Sequence, residues 1–191
     1  LMYHHNTTDN IYDFISKNIY WENQSYIMNK TMKIKITLSM CLALQELHTR
    51  KIIHCDIKLK NMLYLENEDK VILVDFGAST ALNNNKKYTY IDESMGTTGY
   101  MSNELNYGIA YLKSDIYSLA VSILEIWCGE IWTMDYGTHK ECRKDILKSL
   151  TFLEKKEPRL TKVLRSCLVN DVNKRPYIHT LIQKLKSSIE I

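Results

Sequence analysis

Glycine is scarce in this chain of 191 residues: there are six, and none precedes Gly77. Residues 1–76 therefore hold neither a Walker A loop nor a Gly-x-Gly-x-x-Gly turn, and any nucleotide chemistry must use another device. Paired cysteines are missing too. Cys41, Cys55, Cys128, Cys142 and Cys167 are odd in number, widely spaced and free of any Cys-x-x-Cys pair. That argues against a disulfide framework or a zinc site and points to a reducing, cytoplasmic compartment. No long apolar run occurs. The best, Leu119 to Cys128, is short and interrupted by Glu125, and Leu1-Met2-Tyr3-His4-His5 has neither a basic nor an apolar signal region. The sequence thus predicts no membrane span and no export signal. A leading leucine instead of methionine suggests a chain trimmed from something longer or a gene with an unusual boundary. Neither charge sign is in excess, and a net charge of +3 is too mild to argue for nucleic acid or an anionic membrane.

What is present is a folded-protein composition, 45% hydrophobic and 25% charged, on a chain long enough for one domain or one lobe. From Asn29 to Arg50, Ile34, Leu38, Cys41, Leu42, Leu44 and Leu47 recur at three- and four-residue intervals, the stripe of an amphipathic helix. Met62 to Leu65 and Val71 to Val74 flank a polar loop and predict a hairpin. Up to Val74 the chain reads as helix, loop and hairpin. Residues 75–113 fit no sustained period and read as a long functional loop. Ser114-Asp115 is the expected N-cap of an apolar helix from Ile116 to Cys128, with Gly129 as its stop. Further helices are expected near 140–152, 160–168 and 176–189, the last opening on Pro176. The Lys-rich stretch from Lys174 to Lys186 reads as a solvated face. The fold class is α+β, mainly helical.

The chemistry concentrates in His54-Cys55-Asp56-Ile57-Lys58-Leu59-Lys60-Asn61, between helix and hairpin, and in Asp75-Phe76-Gly77 at the hairpin's exit. Two carboxylates and an amide carbonyl are hard oxygen ligands suited to Mg²⁺. A nearby lysine can neutralise a transferring phosphoryl group, and a carboxylate not used by a metal can orient a hydroxyl nucleophile. The outline is a phosphoryl-transfer site. Its two motifs at fixed spacing would arise by chance on the order of 10⁻⁶ per chain of this length.

These residues resemble the C-terminal lobe of a eukaryotic-type serine/threonine protein kinase, with the small β-hairpin beside its catalytic loop. The resemblance runs over residues 1–191, with a hinge-like start at Leu1-Met2-Tyr3, a catalytic loop at 54–61, an activation segment at 75–104 and a helical subdomain at 114–191. It implies transfer of the ATP γ-phosphate to a protein Ser/Thr hydroxyl. Asp56 and Lys58 match the catalytic aspartate and lysine, Asn61 and Asp75 the Mg²⁺ and cofactor ligands, and Leu63 the residue beneath the adenine. Gly96-Thr97-Thr98-Gly99-Tyr100-Met101-Ser102-Asn103-Glu104 resembles the family's peptide-platform block. Structural roles fall to His54 packed under Phe76, Gly77, Thr97 near the catalytic pair, Asp115 bracing the catalytic loop, and Glu104 paired with Arg175.

Three departures stand out. Cys55 replaces the arginine that in many kinases receives a loop phosphate, which implies a loop that does not need one; as a thiol it is either reactive, given a nearby lysine, or buried and inert. Asn103 stands in place of a proline. The third is the want of a Gly-rich loop, strand lysine and helix glutamate, which the family needs to hold ATP. Besides a protein substrate, the partner expected is therefore a small N-terminal lobe or another kinase. The alternative is a kinase-like lobe that binds or inhibits another kinase instead of catalysing.

Overall fold

A computed structural model describes residues 8–17, 20–22, 25–83, 85–92, 95–129 and 138–189. The hinge-like start at Leu1-Met2-Tyr3 lies outside them. In chain order the first elements are β1 (Thr8–Asn10), α1 (Ile11–Lys17), β2 (Tyr20–Glu22), β3 (Ser25–Ile27) and α2 (Lys30–Thr49). There follow β4 (Ile52–Ile53), β5 (Met62–Leu65), β6 (Lys70–Leu73), β7 (Thr80–Ala81), β8 (Thr89–Tyr90), α3 (Asn103–Asn106) and β9 (Ile109–Ala110). Four longer helices complete the chain: α4 (Leu112–Cys128), α5 (His139–Glu154), α6 (Pro158–Cys167) and α7 (Ile178–Ser188). The architecture is the mainly helical α+β expected from the sequence.

Helix α2 starts where Asn29 accepts the Met32 N–H on its side-chain oxygen at 3.0 Å. It packs against α7, β6 and α4, so its buried set includes Ile36, Thr37, Ser39 and Met40 as well as Ile34, Cys41 and Leu44. A helix held on several sides has no single stripe. Leu42, expected on the buried face, is 52% exposed because it lines an open cavity between α2 and β6. Helix α4 is buried from Ser114 through Trp127, as suits a helix apolar nearly all round. Its polar groups are bonded internally: Ser118 Oγ donates to the Tyr100 carbonyl at 2.8 Å, and Glu125 accepts the Tyr100 hydroxyl at 2.7 Å. At its C-terminus Gly129, at φ 87°, closes the last turn. There Lys33 Nζ donates to the Trp127 carbonyl at 3.3 Å, a cation at the negative end of the helix.

The start of α4 differs from expectation. Its N-cap is Tyr111, and Ser114 lies one turn inside, its Oγ accepting the Tyr111 N–H at 3.2 Å. Asp115 is thereby freed to accept the backbone N–H groups of His54 and Cys55. Similarly α7 opens at Ile178 after the N-cap Tyr177, so Pro176 precedes the helix, whereas Pro158 does occupy a first-turn position in α6.

The hairpin β5–β6 forms one residue earlier on its second strand than expected, pairing Met62 with Leu73. β1 adds a third antiparallel strand, placing Asn10 opposite Leu63. Before residue 29 the chain thus carries β1, α1 and the β2–β3 pair, where a helix, loop and hairpin beginning at α2 were expected. Residues 75–113 are likewise more than loop. β7 pairs with β4, β8 with β9, and α3 makes a single turn. Among the described residues no helix is long and apolar enough to cross a membrane.

Candidate active site

The chain leaves α2, makes the short strand β4 and turns through His54 to Asn61 before entering β5. Cys55 in this turn has φ 67°, a left-handed conformation that costs a non-glycine residue roughly 1–2 kcal/mol. Asp115, fully buried, holds it there. Its Oδ2 accepts the His54 N–H at 2.9 Å and its Oδ1 the Cys55 N–H at 3.0 Å, two charge-assisted bonds that offset the strain. His48, from the last turn of α2, steadies the same Oδ2 through Nε2 at 2.9 Å. Sequence reasoning found Asp115 but missed His48, whose place in the last turn of an otherwise apolar stripe was the available signal.

Four polar side chains then converge. Lys58 Nζ donates to Thr97 Oγ1 at 2.7 Å, and Thr97 donates to Asp56 Oδ1 at 2.7 Å. Lys58 also pairs with Asp56 Oδ2 at 2.9 Å, and Asn61 Nδ2 donates to that oxygen at 2.8 Å and to the Asp56 carbonyl at 2.9 Å. Asp56 is thus fixed by a hydroxyl, an ammonium and an amide. Because the amide nitrogen of Asn61 faces Asp56, its carbonyl oxygen is the atom left to serve a cation.

The hairpin exit is tied to this cluster by one residue. Val74 donates its N–H to the Asn61 carbonyl at 3.0 Å and accepts His54 Nε2 at 3.1 Å. His54 Nδ1 takes the Asp56 N–H at 3.4 Å, so the ring proton sits on Nε2 and the histidine is occupied structurally. Its ring lies 5.2 Å from that of Phe76. The next residue, Asp75, is exposed, at φ 61°, and caps the short turn Phe76–Ala78 by accepting the Gly77 N–H at 3.4 Å. A Cβ on Gly77 would sit 3.3 Å from Asp75 Oδ1, so a side chain there would press the exposed carboxylate aside slightly. Leu63 lies half-buried on the central strand β5, opposite Ile72 as well as Asn10.

Around Cys55 a second apolar cluster gathers Ile53, Leu82, Met101, Leu105 and Ala110. Cys55 is 1% exposed, and burial first, then the charges of Asp115 and Asp56, push its thiol far above the ordinary cysteine range. The inert alternative holds for this thiol. Gly96 closes the cluster from the other side at φ 97°, where a Cβ would come 3.0 Å from the Cys55 carbonyl and 3.1 Å from Met101 Sδ. Gly96→Ala is therefore expected to destabilise by roughly 1–3 kcal/mol, read as a lower midpoint in urea unfolding. An unchanged midpoint would show that the backbone here relaxes freely.

Beyond the cluster, Glu104 of α3 meets Arg175 in a two-pronged pair, with Nη2 to Oε2 at 2.9 Å. Ser102 and Ser114 hydroxyls donate to the same carboxylate at 2.6 and 2.7 Å. Burial pushes Glu104 upward, but Arg175 and the two serines outweigh it and hold the carboxyl below its usual range.

The protein kinase domain family matches residues 4–185. The chain belongs to that family. Among curated relatives, the serine/threonine-protein kinase MPS1 of Encephalitozoon cuniculi is 30% identical over 148 residues, 75% of this chain and 25% of its own length. A membrane-associated tyrosine- and threonine-specific cdc2-inhibitory kinase of Drosophila melanogaster is 30% identical over 158 residues, 79% of this chain and 28% of its own. Serine/threonine-protein kinase C of a Synechocystis strain is 34% identical over 118 residues, 59% and 22% of the two chains. This kinase-family chain thus spans about a quarter of the length of these relatives.

Proposed function

We propose that the chain is the catalytic large lobe of a serine/threonine protein kinase, with its catalytic loop at 54–61, activation segment at 75–104 and helical subdomain at 114–191. The hydrogen-bonded series Lys58, Thr97, Asp56 and Asn61 carries this proposal, because it aims one carboxylate, fixed on both oxygens, at the mouth of the catalytic loop. Asp56 accepts the proton of a substrate hydroxyl as that oxygen bonds to the γ-phosphorus and the bond to the β-phosphate oxygen breaks. Lys58 stands beside it to balance charge on the moving phosphoryl group. The side-chain carbonyl of Asn61 and the exposed carboxylate of Asp75, whose neighbour Val74 bonds the Asn61 backbone carbonyl, fit the donor chemistry of Mg²⁺ and would hold it with ATP. When bound, that ion neutralises phosphate charge. Five free thiols accord with a cytoplasmic setting.

A second reading has its own observation. Between α2 and β6 lies a cavity of about 690 Å³ lined by Leu42, Leu47, Ile52, Leu73 and Phe76, with Leu42 and Phe76 52% and 49% exposed. Such a surface suits cover by a small lobe or by another kinase. One experiment separates the two: transfer from labelled ATP to a Ser/Thr peptide, with and without Mg²⁺, by the 191-residue chain alone and joined to a kinase small lobe. Mg²⁺-dependent transfer in the joined form is expected. Silence in both, with a stable complex to another kinase, would replace catalysis with binding.

A further inference from the structure

Helices α6 and α7 carry Arg159, Lys162, Arg165, Lys184 and Lys186 between them, and not one aspartate or glutamate. The carboxylates just before α6 are already paired: Glu154 offsets Arg165 of α6 at 2.8 Å, and Glu157 bonds Lys30 of α2 at 2.6 Å, which leaves neither of them for Lys162 or Lys184. Arg159, Lys162 and Ser166 recur on one face of α6, at the three- and four-residue spacing of neighbours on a helix. With Lys184 and Ser187 of α7 they line a cavity of about 360 Å³. Lys162 and Lys184 are exposed and make no ion pair among the described residues, whereas Lys30, Lys35, Lys58 and Lys148 each have a carboxylate partner. The serine hydroxyls donate to their own helices, Ser166 to the Val163 carbonyl at 2.7 Å and Ser187 to the Lys184 carbonyl at 2.9 Å. Recognition here therefore works through positive charge.

We propose that this groove docks an acidic segment of a partner protein, read through its carboxylate or phosphate groups. The net charge of the whole chain is only +3, so the cationic field is local to the groove and does not make the surface generally basic. A concavity of this volume, at the lower end of ligand-sized sites, takes in a few side chains of an extended peptide. A bilayer would instead need a flat face with apolar groups to insert, and the apolar residues Leu160, Leu164, Leu181 and Leu185 of these helices are buried in the core. Neither Asp56 nor Asp75 lines the groove, so its binding is read without a transfer assay.

The test is fluorescence anisotropy of three labelled peptides, one Asp/Glu-rich, one carrying phosphoserine and one neutral, titrated with the 191-residue chain. Both acidic peptides are expected to bind in preference to the neutral one, with affinity that falls as salt rises. Lys162→Glu with Lys184→Glu is expected to weaken binding by more than about tenfold, the glutamine pair by less, and Lys86→Glu with Lys87→Glu, an exposed cationic pair in another loop, by less than about twofold. All four residues are exposed, so melting curves should be unchanged. Equal loss with both charge-reversed pairs, no binding, or tighter binding to phosphatidylserine vesicles than to either acidic peptide would overturn the proposal. Preference between the two acidic peptides tells carboxylate from phosphate as the group read.

Discussion

Exchanging Asp75 for asparagine is expected to cut phosphate transfer about a thousandfold or more while leaving the melting temperature in place. Asp75 contributes little to the fold: it is exposed, and its hydrogen bond from the Gly77 N–H is long at 3.4 Å. Asparagine keeps that acceptor and tolerates the left-handed backbone at φ 61°, whereas alanine would add strain of roughly 1–2 kcal/mol at the same position. The amide removes only the negative charge offered to a cation. Transfer rates and thermal unfolding of the wild type and the Asn variant, measured on the same preparation of an active form, decide the matter. Retained transfer would remove Asp75 from the chemistry; a large drop in melting temperature would move it into the scaffold.

Replacing Arg175 with alanine is expected to destabilise the lobe by about 3–5 kcal/mol, because it strands a partly buried carboxylate. Arg175 is 1% exposed and also donates to the carbonyls of Val169, Asn170 and Lys113, at 2.9, 3.2 and 3.1 Å. Those acceptors would lose their partner along with Glu104. The pH dependence carries a sign. Glu104 is held below the ordinary glutamate value of 4.5, so its contribution is full above that value and is lost as pH falls through the lower folded value. Without Arg175 burial dominates, the folded pKa rises, and the variant loses stability as pH increases from 4.5 to that raised folded value. The gap between the two proteins should therefore widen from acid toward neutral pH in urea unfolding. A gap independent of pH would assign the loss to packing and the three carbonyls alone.

The parts legible in the sequence were those written in short local signals. Asn29 and Gly129 mark helix ends by their own capping chemistry, and the spacing of Asp56, Lys58 and Asn61 fixes them on one tight turn. Thr97 and Arg175 lie far along the chain from Asp56 and Glu104, and only the family resemblance, not periodicity, joined those pairs. Elements that exist through distant pairing escaped. β1 has three residues and is a strand because β5 is there to meet it, and β8 and β9 are two-residue strands held only by each other. Leu42 misled because a helical period tells which residues share a face, not whether anything covers all of it, and over Leu42 lies an open cavity. Ser114 misled because a serine one turn inside a helix can bond backward to the N-cap N–H as readily as cap it.

The apolar cluster around Cys55 joins the catalytic turn to Leu82, Met101 and Leu105, on both sides of the loop between Asp75 and Glu104. Hydrocarbon contacts of this kind carry no charge and barely respond to salt. A phosphatase finds nothing there to remove. The fastening behaves as a permanent weld in place of a reversible clasp, drawing its strength from burial and needing no added charge on the loop to hold.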